Sequence, residues 1–171
     1  DNTGDLYKPQ NIKHFARYVG QGSCELITAD GGFDFSIDFN KQELMASRLI
    51  LTEVLYAIIM QKKNGIFILK LFDTFLEVSV DILYILSSFY EKIEICKPNT
   101  SRMANSEKYI ICKGFKLENS NEYFDIFNGI LIQLNNTINN DKYIKSILSV
   151  DIPYYFKNKV EELNAVFGYK Q

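Results

Sequence analysis

The run Ile66-Phe67-Ile68-Leu69-Lys70-Leu71 constrains this chain more than any other stretch of it. It is almost continuously apolar, as expected of a strand buried on both faces of a parallel sheet. Helical spacing flanks it on both sides. From Lys41 to about Lys63, the residues Leu44, Met45, Leu49, Leu51, Val54, Leu55, Ile58 and Ile59 recur with helical period. Lys62-Lys63 suit the negative end of that helix's dipole, with Gly65 behind them as a stop. A second helix is expected from about Phe75 to Tyr90.

The same reading extends in both directions. Asn2-Thr3-Gly4-Asp5 is a loop, and Ile12, Phe15, Ala16 and Val19 mark a first helix that Gly20-Gln21-Gly22 ends. Cys24–Asp30 is a short apolar strand stopped by Gly31-Gly32. Lys92–Lys97 alternates as a strand, Pro98–Arg102 is a loop, and Lys108–Lys113 is a further strand. Strand, helix, strand, helix, strand predicts an α/β fold with a parallel sheet. The last two strands are joined by too short a loop for a helical crossover, so they are expected to pair antiparallel at the sheet edge. After Gly114 the character changes. Tyr123–Leu134 reads as an amphipathic helix, Asn135–Asp141 as a polar linker, and Pro153 precedes a last helix through about Val166.

Composition narrows the function classes. With 171 residues, 47% of them hydrophobic, the chain can build one domain with a real core. A formal charge of −2 excludes a globally basic nucleic-acid binder, so any RNA site must be a local patch. Cys24, Cys96 and Cys112 are far apart, without a C-x-x-C pair, and read as reduced, buried thiols. His14 is the only histidine and reads as a surface residue of the first helix. No metal site is therefore expected, and a Ser-His or Cys-His nucleophile system is disfavoured. No signal peptide opens the chain, no Walker-type loop is present, and no apolar run reaches the roughly 20 residues of a membrane span. An intracellular protein, in nucleus or cytoplasm, is expected.

Ligands and catalytic groups of open α/β sheets gather at the carboxyl ends of the strands. Asp30, Lys70 and Glu107 fall at three such ends. Each has a bland reading. Lys70 can snorkel, Asp30 before Gly-Gly can be a turn former, and Glu107 can be a surface carboxylate. Lys70 can equally be a lysine tuned for general-base work, because an ammonium in so apolar a run is costly unless paired. Lys97, Arg102, Lys108 and Lys113 surround the Pro98–Glu107 loop as a candidate phosphate-binding patch or a solvated sheet edge. Phe33, Phe35 and Phe39 read either as core or as stacking partners for a base.

Three blocks carry a resemblance. They are Thr28-Ala29-Asp30-Gly31-Gly32-Phe33, then Phe67-Ile68-Leu69-Lys70-Leu71-Phe72-Asp73, then Lys97-Pro98-x-x-Ser101-Arg102-x-x-Asn105-Ser106-Glu107-Lys108-Tyr109 continuing to Cys112-Lys113-Gly114. Their order and spacing, over about Gly4 to Gly114, resemble FtsJ-like RNA 2′-O-methyltransferases, most of all the cap-1 mRNA enzymes of eukaryotes and large DNA viruses. The resemblance implies a Rossmann-like S-adenosylmethionine methyltransferase fold, of which residues 1–116 are the C-terminal half. Residues 117–171 are a helical extension of unassigned role. It implies methyl transfer to a ribose 2′-hydroxyl, with Asp30, Lys70 and Glu107 as three members of the family's Lys-Asp-Lys-Glu tetrad. Lys70 is implied as general base, Asp5 and Asp30 as contacts to S-adenosylmethionine, and Lys97, Ser101 and Arg102 as contacts to RNA.

The family's first lysine and glycine-rich cofactor loop have no counterpart here. The rest of the methyltransferase domain, upstream of Asp1, is thus an implied partner. The implied substrate is capped mRNA, with ribosomal or transfer RNA as the alternative and other capping subunits as further partners. A large DNA virus as source would place the protein in a viral factory or virion. A non-catalytic fragment that binds RNA or a partner is the reading from another class. It gives no physical reason to keep a costly lysine at position 70.

Overall fold

The computed structural model describes residues 3–32, 41–102, 105–138 and 143–169. Phe33, Phe35 and Phe39 lie outside them. The elements run α1 (Pro9–Val19), β1 (Cys24–Ala29), α2 (Gln42–Met60), β2 (Gln61–Leu71), α3 (Glu77–Phe89), β3 (Tyr90–Cys96), β4 (Lys108–Phe115), α4 (Asn121–Ile138) and α5 (Tyr154–Tyr169). The strands form one sheet in the order β1-β2-β4-β3. β1 and β2 are parallel, and β4 is antiparallel to both β2 and β3. The α/β class and the antiparallel pair at the sheet's edge are as the sequence predicts. The antiparallel strand itself sits one place in, between β2 and β3.

The two faces of this sheet differ. Phe67, Leu69 and Leu71 are buried, and so are their register partners Cys112, Ile110 and Lys108. That face meets α2 and α3. The intervening residues point the other way because side chains alternate along a strand. There Leu26 and Thr28 of β1, Ile66 of β2 and Lys113 of β4 are exposed, and Ile68, Lys70, Tyr109 and Ile111 are only half-buried. The expectation of a strand buried on both faces is therefore corrected. Among the described residues, the buried helices cover the Phe67–Leu69–Leu71 face alone.

Helix α2 is central to the covered side. Every residue from Ile50 to Met60 is buried, since the helix touches β2 on one flank and α1, α3 and α4 on others. A helix buried all round carries apolar residues all round. Its end corrects a second expectation. Lys62-Lys63 do not close it; the chain is already extended at Gln61, and both lysines are exposed in β2. Gln61 makes the switch possible, because its buried side chain donates to the Cys24 carbonyl at 2.8 Å and accepts from the Tyr90 hydroxyl at 3.0 Å.

Outside the sheet, α4 crosses α1 and α2, with Tyr123 and Phe127 joining Phe89 in an aromatic cluster. It runs on through Asn135 to Ile138, so the first part of the expected polar linker is helical; Asn139, Asn140 and Asp141 lie outside the described residues. Segment 143–153 is tied to α3 by buried Asp81, whose Oδ2 accepts from Ser146 Oγ and from the Ile147 and Leu148 N–H groups. The cysteines are free, but only Cys112 is buried; Cys24 and Cys96 are half-buried because they begin and end the outer strands. His14 is exposed on α1 and stacks on Tyr18.

Candidate active site

Parallel pairing of β1 with β2 sets Ala29 beside Leu69, which delivers Asp30 next to Lys70. Antiparallel β4 starts where β2 ends, so Lys70 lies directly across from Tyr109. Three strand ends thus converge on the less covered face. Lys70 Nζ is 2.9 Å from Asp30 Oδ1 and donates to the Asp30 carbonyl at 3.1 Å. The Lys70 side chain is only 13% exposed while that of Asp30 is 65% exposed, so the pair is wet on one side. This pairing answers the cost of an ammonium in an apolar run.

Tyr109 donates its hydroxyl to Asp30 Oδ1 at 3.3 Å. Burial first, then the negative charges of Glu107 and Asp30, push its phenol up to about 12. It stays a donor near neutral pH and gives its one proton to Asp30 in a setting that the charge of Glu107 also reaches. Glu107 is further held by Ser101 Oγ, 3.3 Å from Oε1. The sequence reading named Asp30, Lys70 and Glu107 and missed Tyr109. The signal was available: the x in Glu-x-Tyr puts the two on one side of a strand.

Glu53 was missed as well. It lies in α2 beneath the Asp30-Gly31 turn and accepts the Gly31 N–H on Oε1 at 3.0 Å. Burial pushes its carboxyl up to about 7, with the Gly31 N–H and the charge of Lys70 pulling the other way. A Cβ on Gly31 would stand 2.4 Å from Glu53 Oε1, so only glycine allows this approach. The signal here was a single charge in the apolar run Leu49–Met60.

The loop between β3 and β4 is built on Lys97. Its ammonium donates to the Asn105 carbonyl at 2.5 Å, to Asn105 Oδ1 at 2.9 Å and to the Glu107 carbonyl at 3.0 Å. Burial, then the charge of Lys108, holds its pKa below the usual lysine range. Ser101 Oγ also contacts Asn105 Oδ1, so Lys97 and Ser101 shape the loop that presents Glu107, and Arg102 stands exposed on it. The four-cation patch is corrected. Lys108 is buried on the opposite face, 3.1 Å from Asp73 Oδ1. Lys113 lies at the far end of β4, paired with Glu94 at 2.7 Å.

Asp5 bonds to its own N-terminal segment and to the start of α1. Its Oδ1 accepts the Tyr7 N–H at 2.9 Å, and its carbonyl accepts Asn11 Nδ2 at 2.8 Å. The Tyr7 ring lies under the Arg48 guanidinium at 3.8 Å, and Asn135 joins both by accepting from Arg48 and donating to the Tyr7 carbonyl. Asp5 and Glu53 both act on the Tyr7 hydroxyl, which burial chiefly pushes up. Among the described residues no cluster of three or more His, Cys, Asp or Glu could hold a metal, and no helix is long and apolar enough to cross a membrane.

An ammonium paired with a carboxylate, with a tyrosine across the sheet from it at the strand ends, is an arrangement that can move a proton on a bound ligand. The FtsJ-like methyltransferase family model matches residues 2–115, and the chain belongs to that family. It is similar to the cap-specific mRNA (nucleoside-2′-O-)-methyltransferase 1 of Mus musculus, at 37% identity over 80% of this chain and 17% of the relative. Its similarity to the cap-specific mRNA (nucleoside-2′-O-)-methyltransferase 1A of Caenorhabditis briggsae is 33% identity over 98% of this chain and 20% of the relative. A third relative, named inactive cap-specific mRNA (nucleoside-2′-O-)-methyltransferase 1B, also of Caenorhabditis briggsae, is 31% identical over 98% of this chain and 21% of the relative. The chain spans about a fifth of the length of the curated relatives it matches.

Proposed function

We propose that this chain is the catalytic half of an S-adenosylmethionine-dependent RNA 2′-O-methyltransferase domain acting on the first transcribed nucleotide of capped mRNA. The observation that carries the reading is the Lys70–Asp30 pair, with the Tyr109 hydroxyl on the same Asp30 carboxylate, on the open side of the sheet. Lys70 Nζ is held from below by two oxygens of Asp30, which leaves its remaining valence for a ribose hydroxyl. As the neutral amine it takes the hydroxyl proton while the oxygen becomes nucleophilic. Asp30, Tyr109 and Glu107 act by position and charge, keeping Lys70 aimed and stabilising it once protonated.

The donor set fits the cofactor. An exposed carboxylate beside the proton acceptor suits a cationic sulfonium, and Asp5 adds an acceptor for a sugar hydroxyl or adenine amine. S-adenosylmethionine, when bound, supplies an electrophilic methyl group. In this reading the polypeptide around these residues provides the other half of the domain and covers the sheet face that carries Leu26, Ile66 and Lys70. Arg102 contacts phosphate, with Lys97 and Ser101 fixing the loop it stands on.

The test is Lys70→Ala in the full polypeptide, assayed for methyl transfer to capped RNA. We expect a loss of at least a thousandfold in kcat, with S-adenosylmethionine binding kept. Activity within tenfold of the parent would overturn the assignment. A second reading, a non-catalytic family member, is favoured by one fact: a relative of comparable identity is named inactive. Folded parent polypeptide that binds S-adenosylmethionine and capped RNA yet transfers no methyl group would select it.

A further inference from the structure

Helix α5 lies outside the residues matched by the family model, yet one stripe of it runs to the back of the candidate site. Phe156 meets Tyr84 edge to face with ring centroids 5.1 Å apart, and Val160 is buried. Asn164 follows. Its Oδ1 accepts from Thr74 Oγ1 at 2.6 Å and its Nδ2 donates to the Thr74 carbonyl at 2.9 Å. Phe167 then stands 5.6 Å from Lys108 Nζ. Positions 156, 160, 164 and 167 share one helical face, so a single rigid rod carries all four contacts.

What that rod covers matters for the chemistry. Lys108 is 4% exposed at the side chain, and its ammonium reaches Asp73 Oδ1 at 3.1 Å, the Ser106 carbonyl at 3.0 Å and the Phe72 carbonyl at 3.4 Å. Those acceptors sit on the exit of β2, just beyond Lys70, and on the entry to β4, next to Glu107. Lys108 therefore clasps the two strand ends together from the covered face. Lys70 and Tyr109 lie on the other face, one register pair away. A charge this buried keeps its geometry only while its surroundings stay dry and paired.

We propose that α5 is a positioning element of the methyl-transfer site: through Asn164, Phe167 and the Lys108–Asp73 clasp it sets the spacing of Lys70 from Glu107 and Tyr109. This rests on the function proposed above. None of these residues touches a reacting atom; they act through the two strand ends.

The experiment uses the full polypeptide with Asn164→Ala, Phe167→Leu, Lys108→Met and Lys108→Arg. Lys108→Met should lower kcat at least tenfold while KM for capped RNA and for S-adenosylmethionine stays within twofold, and Lys108→Arg should recover part of the loss. Asn164→Ala and Phe167→Leu should each lower kcat about threefold to tenfold with the same split. Both should speed amide hydrogen exchange at 71–74 and 108–109 without speeding it in α2. Parent kcat in the folded Asn164→Ala and Phe167→Leu variants overturns the proposal, as does a kcat loss that Lys108→Arg leaves unrelieved. If Lys108→Met does not fold, the Asn164 and Phe167 variants decide alone. A parent polypeptide without methyl transfer would sink the proposed function instead. Exchange at 71–74 and 108–109 would still judge the clasp, and unchanged protection in Asn164→Ala would overturn it.

Discussion

Glu53 is a carboxyl whose burial works against its charge. A carboxyl pushed from 4.5 up to about 7 is protonated more readily in the folded chain than in the unfolded one. Stability therefore falls as pH climbs through that window, then levels off above it. Asp30 opposes ionisation of Glu53, and Lys70 and the Gly31 N–H favour it. Glu53→Gln keeps an acceptor for Gly31 and removes the titration. It should stabilise the protein at pH 8 by about 1–3 kcal/mol and do little at pH 5. Thermal unfolding at both pH values checks this, and an equal effect at both would refute it. Arg102 belongs at the same scale. Being exposed, it should support RNA affinity and not the chemical step. Arg102→Ala should raise KM for RNA several-fold, leave kcat unchanged and reduce the salt slope of binding by about 0.7. The meeting of Lys70 with Asp30 at two strand ends was legible because a charge interrupting an apolar run, as Lys70 does, is rare. Lys108 was misplaced for a physical reason: sequence shows that a lysine is near a loop, but not which side of the strand its ammonium takes.

Among the elements, the segment before α5 shows how much can hang on one side chain. Asp81 is 3% exposed and satisfies one hydroxyl and two backbone N–H groups from residues 146–148. Replacing it with alanine orphans those donors. Asp81→Ala should cost about 2–4 kcal/mol and make 143–152 the first site of limited proteolysis. Cleavage elsewhere first, at unchanged stability, would contradict it. Strand and helix identities were readable from periodicity, and α3, β3 and α5 fall close to their expected bounds. The end of α2 was not, because the handover at Gln61 depends on Cys24 and Tyr90, which are distant in sequence. The order of β4 and β3 was equally hidden, since a short connection fixes pairing but not which partner lies inside.

At the scale of the molecule, the described residues cover the sheet on one side only. Helices α2 and α3 supply the buried layer, with α4 and α5 packed around them, while Leu26 and Ile66 remain 59% and 37% exposed on the other. A continuous apolar strand had suggested two covered faces, and the proposed remainder of the domain is what would make that true. β1, at the end of the strand order, also offers a row of backbone N–H and C=O groups that no described strand takes up.

That outer strand has a consequence for anyone who produces these 171 residues by themselves. A sheet edge of this kind is a template for another chain, and an apolar face beside it adds a second adhesive surface. Solutions of the isolated segment should thicken into concentration-dependent oligomers, and Leu26→Lys, which places a charge on edge and face together, should return them toward monomers. Sedimentation velocity across a tenfold range of concentration would show it, and a monodisperse parent would refute it. In the full polypeptide the same substitution should instead weaken the union of the two halves of the domain.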